Sequence, residues 1–214
     1  MTALKDLIAN GSFISAPGVF DPLSARVAEQ SGANALYMTG YGVSASLLGK
    51  PDAGLVSYRE MVDRVRAIFE VTTVPLIADG DTGFGGLANV RQAVQGYENA
   101  GASAIQIEDQ EYPKRCGHTR NRKVISTEDM VRKIELACET RQSDTFLIVA
   151  RTDARTGHGL DEALSRAEAY RSAGADVLFV ESPESLTEMR MINEQLLGAT
   201  TLANMVGEIG RAHV

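Results

Sequence analysis

Cysteine is nearly absent: the chain has two, Cys116 and Cys138, too few for a disulfide framework. Free thiols suit a cytoplasmic setting. Long apolar runs are missing as well. None approaches the roughly 20 residues that a membrane helix needs, and the first residues show no basic, apolar and small-residue order of a signal peptide. Nor is there an excess of positive charge. A net charge of −7 argues against nucleic-acid binding, which requires a basic patch. Lys114, Arg115, Arg120, Arg122 and Lys123 do cluster, but aromatics are scarce around them and a small anion accounts for them equally well. What is present is ordinary globular material, 44% apolar and 23% charged. Its 214 residues suffice for one domain with a sizeable core.

Three segments repeat one pattern, in which a helix runs into Gly-Ala and then a short apolar strand. They are Ser31–Tyr37, Ala100–Gln106 and Ala173–Phe179. A glycine there fits the left-handed position that follows a helix, where a Cβ is penalised. The repeats are spaced by about two βα units. Filling the gaps predicts seven strands: Ile14–Ala16, Ala35–Thr39, Pro75–Asp79, Ala104–Glu108, Phe146–Arg151, Val177–Glu181 and Leu202–Asn204. Helices are predicted over Ser126–Thr140, with Thr127 as a partial cap, and over Leu160–Ala173. Strands alternating with helices mean a parallel sheet, and apolar strands such as Phe146–Ala150 suit one covered on both faces. The expected architecture is an α/β fold, a (β/α)8 TIM barrel. Such a barrel usually takes eight units and about 250 residues, so the sequence reads as cut short after about seven strands.

Polar residues gather past the strand ends: Thr39-Gly40-Tyr41, Asp79-Gly80-Asp81, Glu108-Asp109-Gln110, Arg151-Thr152-Asp153, Glu181-Ser182 and Asn204. A barrel builds its active site from those ends. Asp79 and Asp81, two apart, can share a face of an extended strand. Together with Glu108 they form an oxygen-only set that favours Mg²⁺ or Mn²⁺ over zinc. The competing reading makes the two aspartates caps of the next helix. Lys114-Arg115-Cys116-Gly117-His118 surrounds a thiol with cations, which lowers its pKa and suits it to proton transfer; a solvated basic loop is the plainer alternative. Cys138, within a helix, reads as core, and His158 as part of a loop. Arg151 can pair with Glu181 and can also grip a substrate carboxylate in fork geometry.

In this order, Thr39-Gly40-Tyr41-Gly42, Gly49-Lys50-Pro51-Asp52, Asp79–Gly85, Glu108-Asp109-Gln110, Lys114–His118, Ala150–Ala154 and Leu202-Ala203-Asn204 resemble the isocitrate lyase/phosphoenolpyruvate mutase superfamily. The Lys-Arg-Cys-Gly-His block is similar to its carbon–carbon lyase branch, typified by 2-methylisocitrate and dimethylmalate lyases. That resemblance implies a Mg²⁺ enzyme (Mn²⁺ as an alternative) that assembles into homo-oligomers, dimers or tetramers, and acts on a small carboxylate. It implies metal binding by Asp79 and Asp81, with Asp52 and Glu108 behind them through water. Substrate contacts would come from Thr39, Gly40, Tyr41, Gly117, Arg151, Glu181 and Asn204. Cys116 would carry the proton, Tyr37 would handle the hydroxyl proton, and Lys114 and His118 would assist. The reaction implied is a retro-aldol cleavage of a 2-hydroxy carboxylate that releases an α-keto acid.

Oxaloacetate decarboxylation or hydrolysis and phosphonate formation are the alternatives within the superfamily. A dinucleotide site at Gly40-x-Gly42-x-x-Ala45 is the remote one, weakened because Gly49-Lys50-Pro51 interrupts the helix that it needs. Residues 1–207 read as a single incomplete catalytic domain. Glu208–Val214 resembles an in-frame adapter translation and is set apart as a non-native tail.

Overall fold

Strand and helix alternate along the chain in a computed structural model that describes residues 3–11, 13–115 and 122–205. Seven strands form one sheet: β1 (Gly18–Val19), β2 (Leu36–Met38), β3 (Leu76–Asp79), β4 (Ala104–Glu108), β5 (Leu147–Thr152), β6 (Val177–Val180) and β7 (Thr200–Leu202). They lie in sequence order and every neighbouring pair is parallel. The helices are α1 (Leu4–Ala9), α2 (Pro22–Gln30), α3 (Gly40–Leu48), α4 (Tyr58–Phe69), α5 (Leu87–Asn99), α6 (Thr127–Thr140), α7 (Ala154–His158), α8 (Leu160–Ser172) and α9 (Leu186–Gln195). Among the described residues no helix is long and apolar enough to cross a membrane.

Two apolar clusters show that the sheet curls. Alternate residues of a strand face opposite ways. In β5, Ile148 and Ala150 join the large cluster under the helices, whereas Leu147 and Val149 join a second, inner one with Leu4, Ala35, Ile77, Ala104, Val177 and Phe179. The inner cluster thus draws on β3 through β6 and on α1 at once. A sheet with such an interior is the barrel type predicted, with β1 and β7 as its two edges among the described residues. Burying each large apolar side chain, such as Ile105 or Met130, contributes about 1.5–3 kcal/mol.

Local chemistry explains the joints. Gly32, Gly101 and Gly174 sit at φ +95°, +98° and +102°, the left-handed position expected from the repeat. A Cβ at Gly101 would also run into the Phe69 ring. Three boundaries differ from expectation. The first ladder starts at Gly18, not Ile14; Ile14 and Ala16 pack on the inner cluster ahead of it, and Pro17 offers its carbonyl to Tyr37 N. The last strand is Thr200–Leu202, because β7 pairs with Val177–Phe179 and Asn204 lies beyond that pairing. Helix α6 is capped by Ser126, whose side chain accepts from Asp129 N, so Thr127 is its first turn and not its cap.

Candidate active site

Parallel register sets which polar side chains meet. Asp79 pairs in register with Gln106, Glu108 with Arg151, and Arg151 with Phe179. The Asp79 carboxylate is tightly held. Its Oδ2 accepts from Gly40 N at 3.1 Å, and its Oδ1 accepts from Asp81 N at 3.0 Å and Gln106 Nε2 at 3.3 Å. A Cβ on Gly40 would lie 2.7 Å from that Oδ2, so the start of α3 can approach only as glycine.

Asp81 departs from the extended geometry expected. The strand ends at Asp79, and Asp81 sits at φ +49°, a left-handed turn position that few non-glycine residues occupy. Its side chain meets Lys114 Nζ at 2.6 Å, and the same ammonium lies 2.7 Å from Asp52 Oδ1. Neither aspartate caps α5, whose N-cap is Gly86, so the capping alternative fails.

Glu108 is buried at the end of β4. Its Oε2 lies 3.5 Å from Arg151 Nε, while Oε1 has no hydrogen-bond partner among the described residues. An orphaned buried carboxylate oxygen is costly and calls for a cation or a water. Among the described residues no group of three or more acids, histidines or cysteines converges on one ion position. Mg²⁺ does not require that, since it is held by one or two carboxylates and keeps several waters. The oxygen-only donors Asp79, Asp81 and Glu108, all buried, suit such an ion chemically. Asp52 is joined to Asp81 through the Lys114 ammonium that both share.

Burial disfavours charge throughout the cluster. It raises the Asp81 carboxyl to about 7, with Lys114 pulling the value back down, and it raises Glu108 well above the carboxylate range, with Arg151 opposing. Lys114 also loses solvation, but Asp81, Asp79, Glu108 and Asp52 outweigh that and hold it charged above the ordinary lysine range. The two shifts pull the Lys114–Asp81 pair in opposite directions. The 2.6 Å contact favours the ionised pair.

Arg151 is the hub of the opposite wall. Its Nε and Nη2 fork is taken by Asp153 at 3.0 and 2.9 Å, Nη1 lies 3.4 Å from Glu181, and the guanidinium stacks 5.2 Å from the Phe179 ring centre. The expected pairing with Glu181 is present. The fork expected for a substrate carboxylate is spent on Asp153, and the remaining Nη1 faces Glu181. Arg122 shares Asp153 at 3.4 Å.

Tyr37, Thr39, Tyr41 and Asn204 lie on another wall. All four line a cavity of about 800 Å³ between β1 and β7, with Phe179 and inner apolar residues. Tyr37 joins the two groups, because its hydroxyl donates to Gln106 Oε1 at 2.5 Å and the Gln106 amide donates to Asp79. Burial, followed by Asp79, keeps this phenol's pKa well above 10. Cys116, Gly117 and His118 lie outside the described residues. Just ahead of them, the Gln110 side chain donates to Arg115 O and accepts from Arg115 N, each at 3.0 Å. Cys138 donates to Gly174 O at 3.2 Å in a half-buried position that suits core, and His158 closes α7.

Four buried polar residues at or near the site carry no individual role in the sequence expectations. Gln106, fully buried, breaks the otherwise apolar run of β4, and that was its signal. Lys133 shares the core face of α6 with Met130, Ile134 and Ala137. Asp153 and Asp109 were visible only as members of polar strand ends. Asp109 proves structural, accepting from Thr152 Oγ1, Asp153 N and Tyr170 OH at 2.8 Å each.

Comparison with known proteins agrees with this fold. The family model described as phosphoenolpyruvate phosphomutase matches residues 4–211. The 2,3-dimethylmalate lyase of Eubacterium barkeri is 52% identical over 95% of this chain and 70% of its own length. The 2-methylisocitrate lyase of Aeropyrum pernix is 45% identical over 97% of this chain and 66% of its own. A crystal structure of 2,3-dimethylmalate lyase superposes with a TM-score of 0.92 at 38% identity, covering 97% of this chain and 72% of that one. The chain therefore spans about two thirds of the length of the relatives that it matches.

Proposed function

The chain belongs to the phosphoenolpyruvate mutase/isocitrate lyase superfamily, where it stands with the carbon–carbon lyases, and from that premise we propose that it cleaves a 2-hydroxy (alkyl)carboxylate such as a dimethylmalate or 2-methylisocitrate. The observation that carries the proposal is the buried acid set Asp79, Asp81 and Glu108, with Glu108 beside Arg151 and its Oε1 without a hydrogen-bond partner among the described residues. A divalent cation held by Asp79 and Asp81, Mg²⁺ or Mn²⁺, would supply Lewis-acid polarisation of the hydroxy acid.

The chain's own residues supply the rest. The Arg151 Nη1 edge neutralises a carboxylate, and Glu181 orients that edge. Thr39, Tyr41 and Asn204 bound the substrate on the cavity side, with Gly40 closing the floor against Asp79. In the cleavage the hydroxyl gives its proton to a solvent water and its carbon becomes the keto carbon. The electron pair of the broken C–C bond passes into the enolate of the departing carboxylate, which then takes one proton at carbon. Tyr37 is held protonated and donates a hydrogen bond, so we assign it to positioning the hydroxyl oxygen and not to accepting the proton. Lys114, held charged, offsets the acids and leads into the block that carries Cys116. Cys116 is the proposed donor to the enolate carbon, and His118 the group beside it.

The test is to incubate the protein and Mg²⁺ with 2,3-dimethylmalate, 2-methylisocitrate, isocitrate or oxaloacetate and assay pyruvate, glyoxylate and oxalate. Mg²⁺-dependent release of pyruvate or glyoxylate from a hydroxy acid is expected. Consumption of oxaloacetate alone would move the chain to the hydrolase and decarboxylase members, and turnover undiminished by EDTA would end the metal reading.

A further inference from the structure

A lysine occupies a core position of α6. Lys133 is on the same face as Met130, Ile134 and Ala137, and its residue is 9% exposed. Among the described residues its ammonium forms no ion pair, and its hydrogen bond is a single one, from Nζ to Thr82 O at 2.9 Å. Burial pulls its pKa below the usual lysine value, with Asp129, Asp109 and Glu108 opposing. A methionine would fill this position without that desolvation cost.

What the lysine holds explains its presence. Thr82 follows Asp81, which sits at the strained φ of +49°. Neutral donors also pin the turn from Asp79 to Gly83. Asp81 N donates to Asp79 Oδ1, Gly83 N to Gly80 O at 2.9 Å, Glu108 N to Asp81 O at 2.9 Å, and Tyr97 OH to Asp79 O at 2.9 Å. Each of these comes from within the turn or from β4 and α5 beside it. Lys133 adds a tie from α6, the only charged donor to the turn's backbone among the described residues, since Lys114 reaches the Asp81 side chain instead. A non-glycine residue stays in the left-handed region only when its surroundings over-determine it.

We propose that Lys133 is a positioning residue for the divalent-cation site, fixing the Thr82 carbonyl so that the Asp81 carboxylate stays aimed at the ion. The proposal rests on the cation reading given above. The test therefore reads cation affinity directly, by the loss of the free Mn²⁺ spin-resonance signal, with thermal melting in parallel. Wild-type protein is expected to take up one Mn²⁺, and Asp79→Asn to lose it. Lys133→Met should weaken binding about tenfold or more at an unchanged or higher melting temperature, because groups that orient ligands typically matter 10–100-fold in metal affinity. Lys133→Arg, which keeps a cationic donor, should recover most of it.

Wild-type affinity in Lys133→Met overturns the positioning role while leaving the cation site standing. Equal losses of affinity and melting temperature in Met and Arg variants also overturn it, since they show a packing role. No Mn²⁺ uptake by the wild type, or full uptake by Asp79→Asn, overturns the cation reading and this inference with it. If Lys133→Met does not fold, Lys133→Gln replaces it: weaker binding than Lys133→Arg at similar melting supports the role, and equal binding refutes it.

Discussion

Gln106 shows how one side chain can hold two parts of a site in step. Its carbonyl accepts the Tyr37 hydroxyl and its amide donates to Asp79 Oδ1, so the amide orientation is set from both ends. Leucine there would strand both partners, at about 1–3 kcal/mol for a buried group left unsatisfied. Gln106→Leu should therefore lower unfolding free energy by about that much. In a double-mutant cycle with Tyr37→Phe the two losses should couple by about 1 kcal/mol, because removing the phenol hydroxyl removes half of what Gln106 satisfies. Strict additivity in denaturant titrations would show that the 2.5 Å contact carries no energy. At this scale the sequence gives identities better than geometry. Asp79, Glu108, Arg151 and Glu181 stand where strand-end reasoning put them. The turn at Asp81, the spending of the Arg151 fork on Asp153 and the Gln106 bridge depend on contacts across strands that no local pattern encodes.

Between elements, α7 and α9 are tied by charge. Arg155 on α7 forms a two-pronged pair with Glu188 on α9, at 3.0 and 2.5 Å, and also meets Glu184. The Arg155 hydrogen bonds lower the Glu188 pKa below its usual 4.5. A carboxylate whose folded-state pKa is depressed stabilises the fold above its unfolded pKa and loses that contribution as pH falls through the folded value. Glu188→Gln should thus be less stable than wild type by about 1 kcal/mol at neutral pH, with the gap closing in acid. A gap of constant size from neutral to acidic pH would assign it to packing instead. Helices and central strands were readable because their periods repeat over several residues. Leu160–Ser172 and Ala104–Glu108 appear within a residue of expectation. The short outer strands were not, since two or three residues carry too little pattern and their register is chosen by the neighbour: β1 by Tyr37 and Met38, β7 by Val177–Phe179.

Across the whole molecule, the acids come together only because the sheet is folded. Asp79 and Glu108 end adjacent strands, Arg151 is one residue short of the end of the next, and Asp52 and Lys114 reach in from the connections between strands. An unfolded chain leaves these groups scattered, so a divalent cation should bind the native state and leave the unfolded one almost untouched. Binding of that kind stabilises by RT ln(1 + [L]/Kd), about 2.7 kcal/mol at a hundredfold excess over Kd. For a domain of this size, 1 kcal/mol moves the melting temperature by about 2–4 °C. Saturating Mg²⁺ or Mn²⁺ should therefore raise the melting temperature by about 5–10 °C, EDTA should reverse the rise, and the shift should grow with the logarithm of metal concentration. Asp79→Asn should melt near the metal-free wild type and show no response, because one of the two proposed carboxylate ligands is gone. Calcium at the same ionic strength is the control, since screening of the net charge of −7 would raise stability with any divalent salt. Equal shifts from calcium and magnesium that persist in Asp79→Asn would place the effect on the surface and remove the cation from the site.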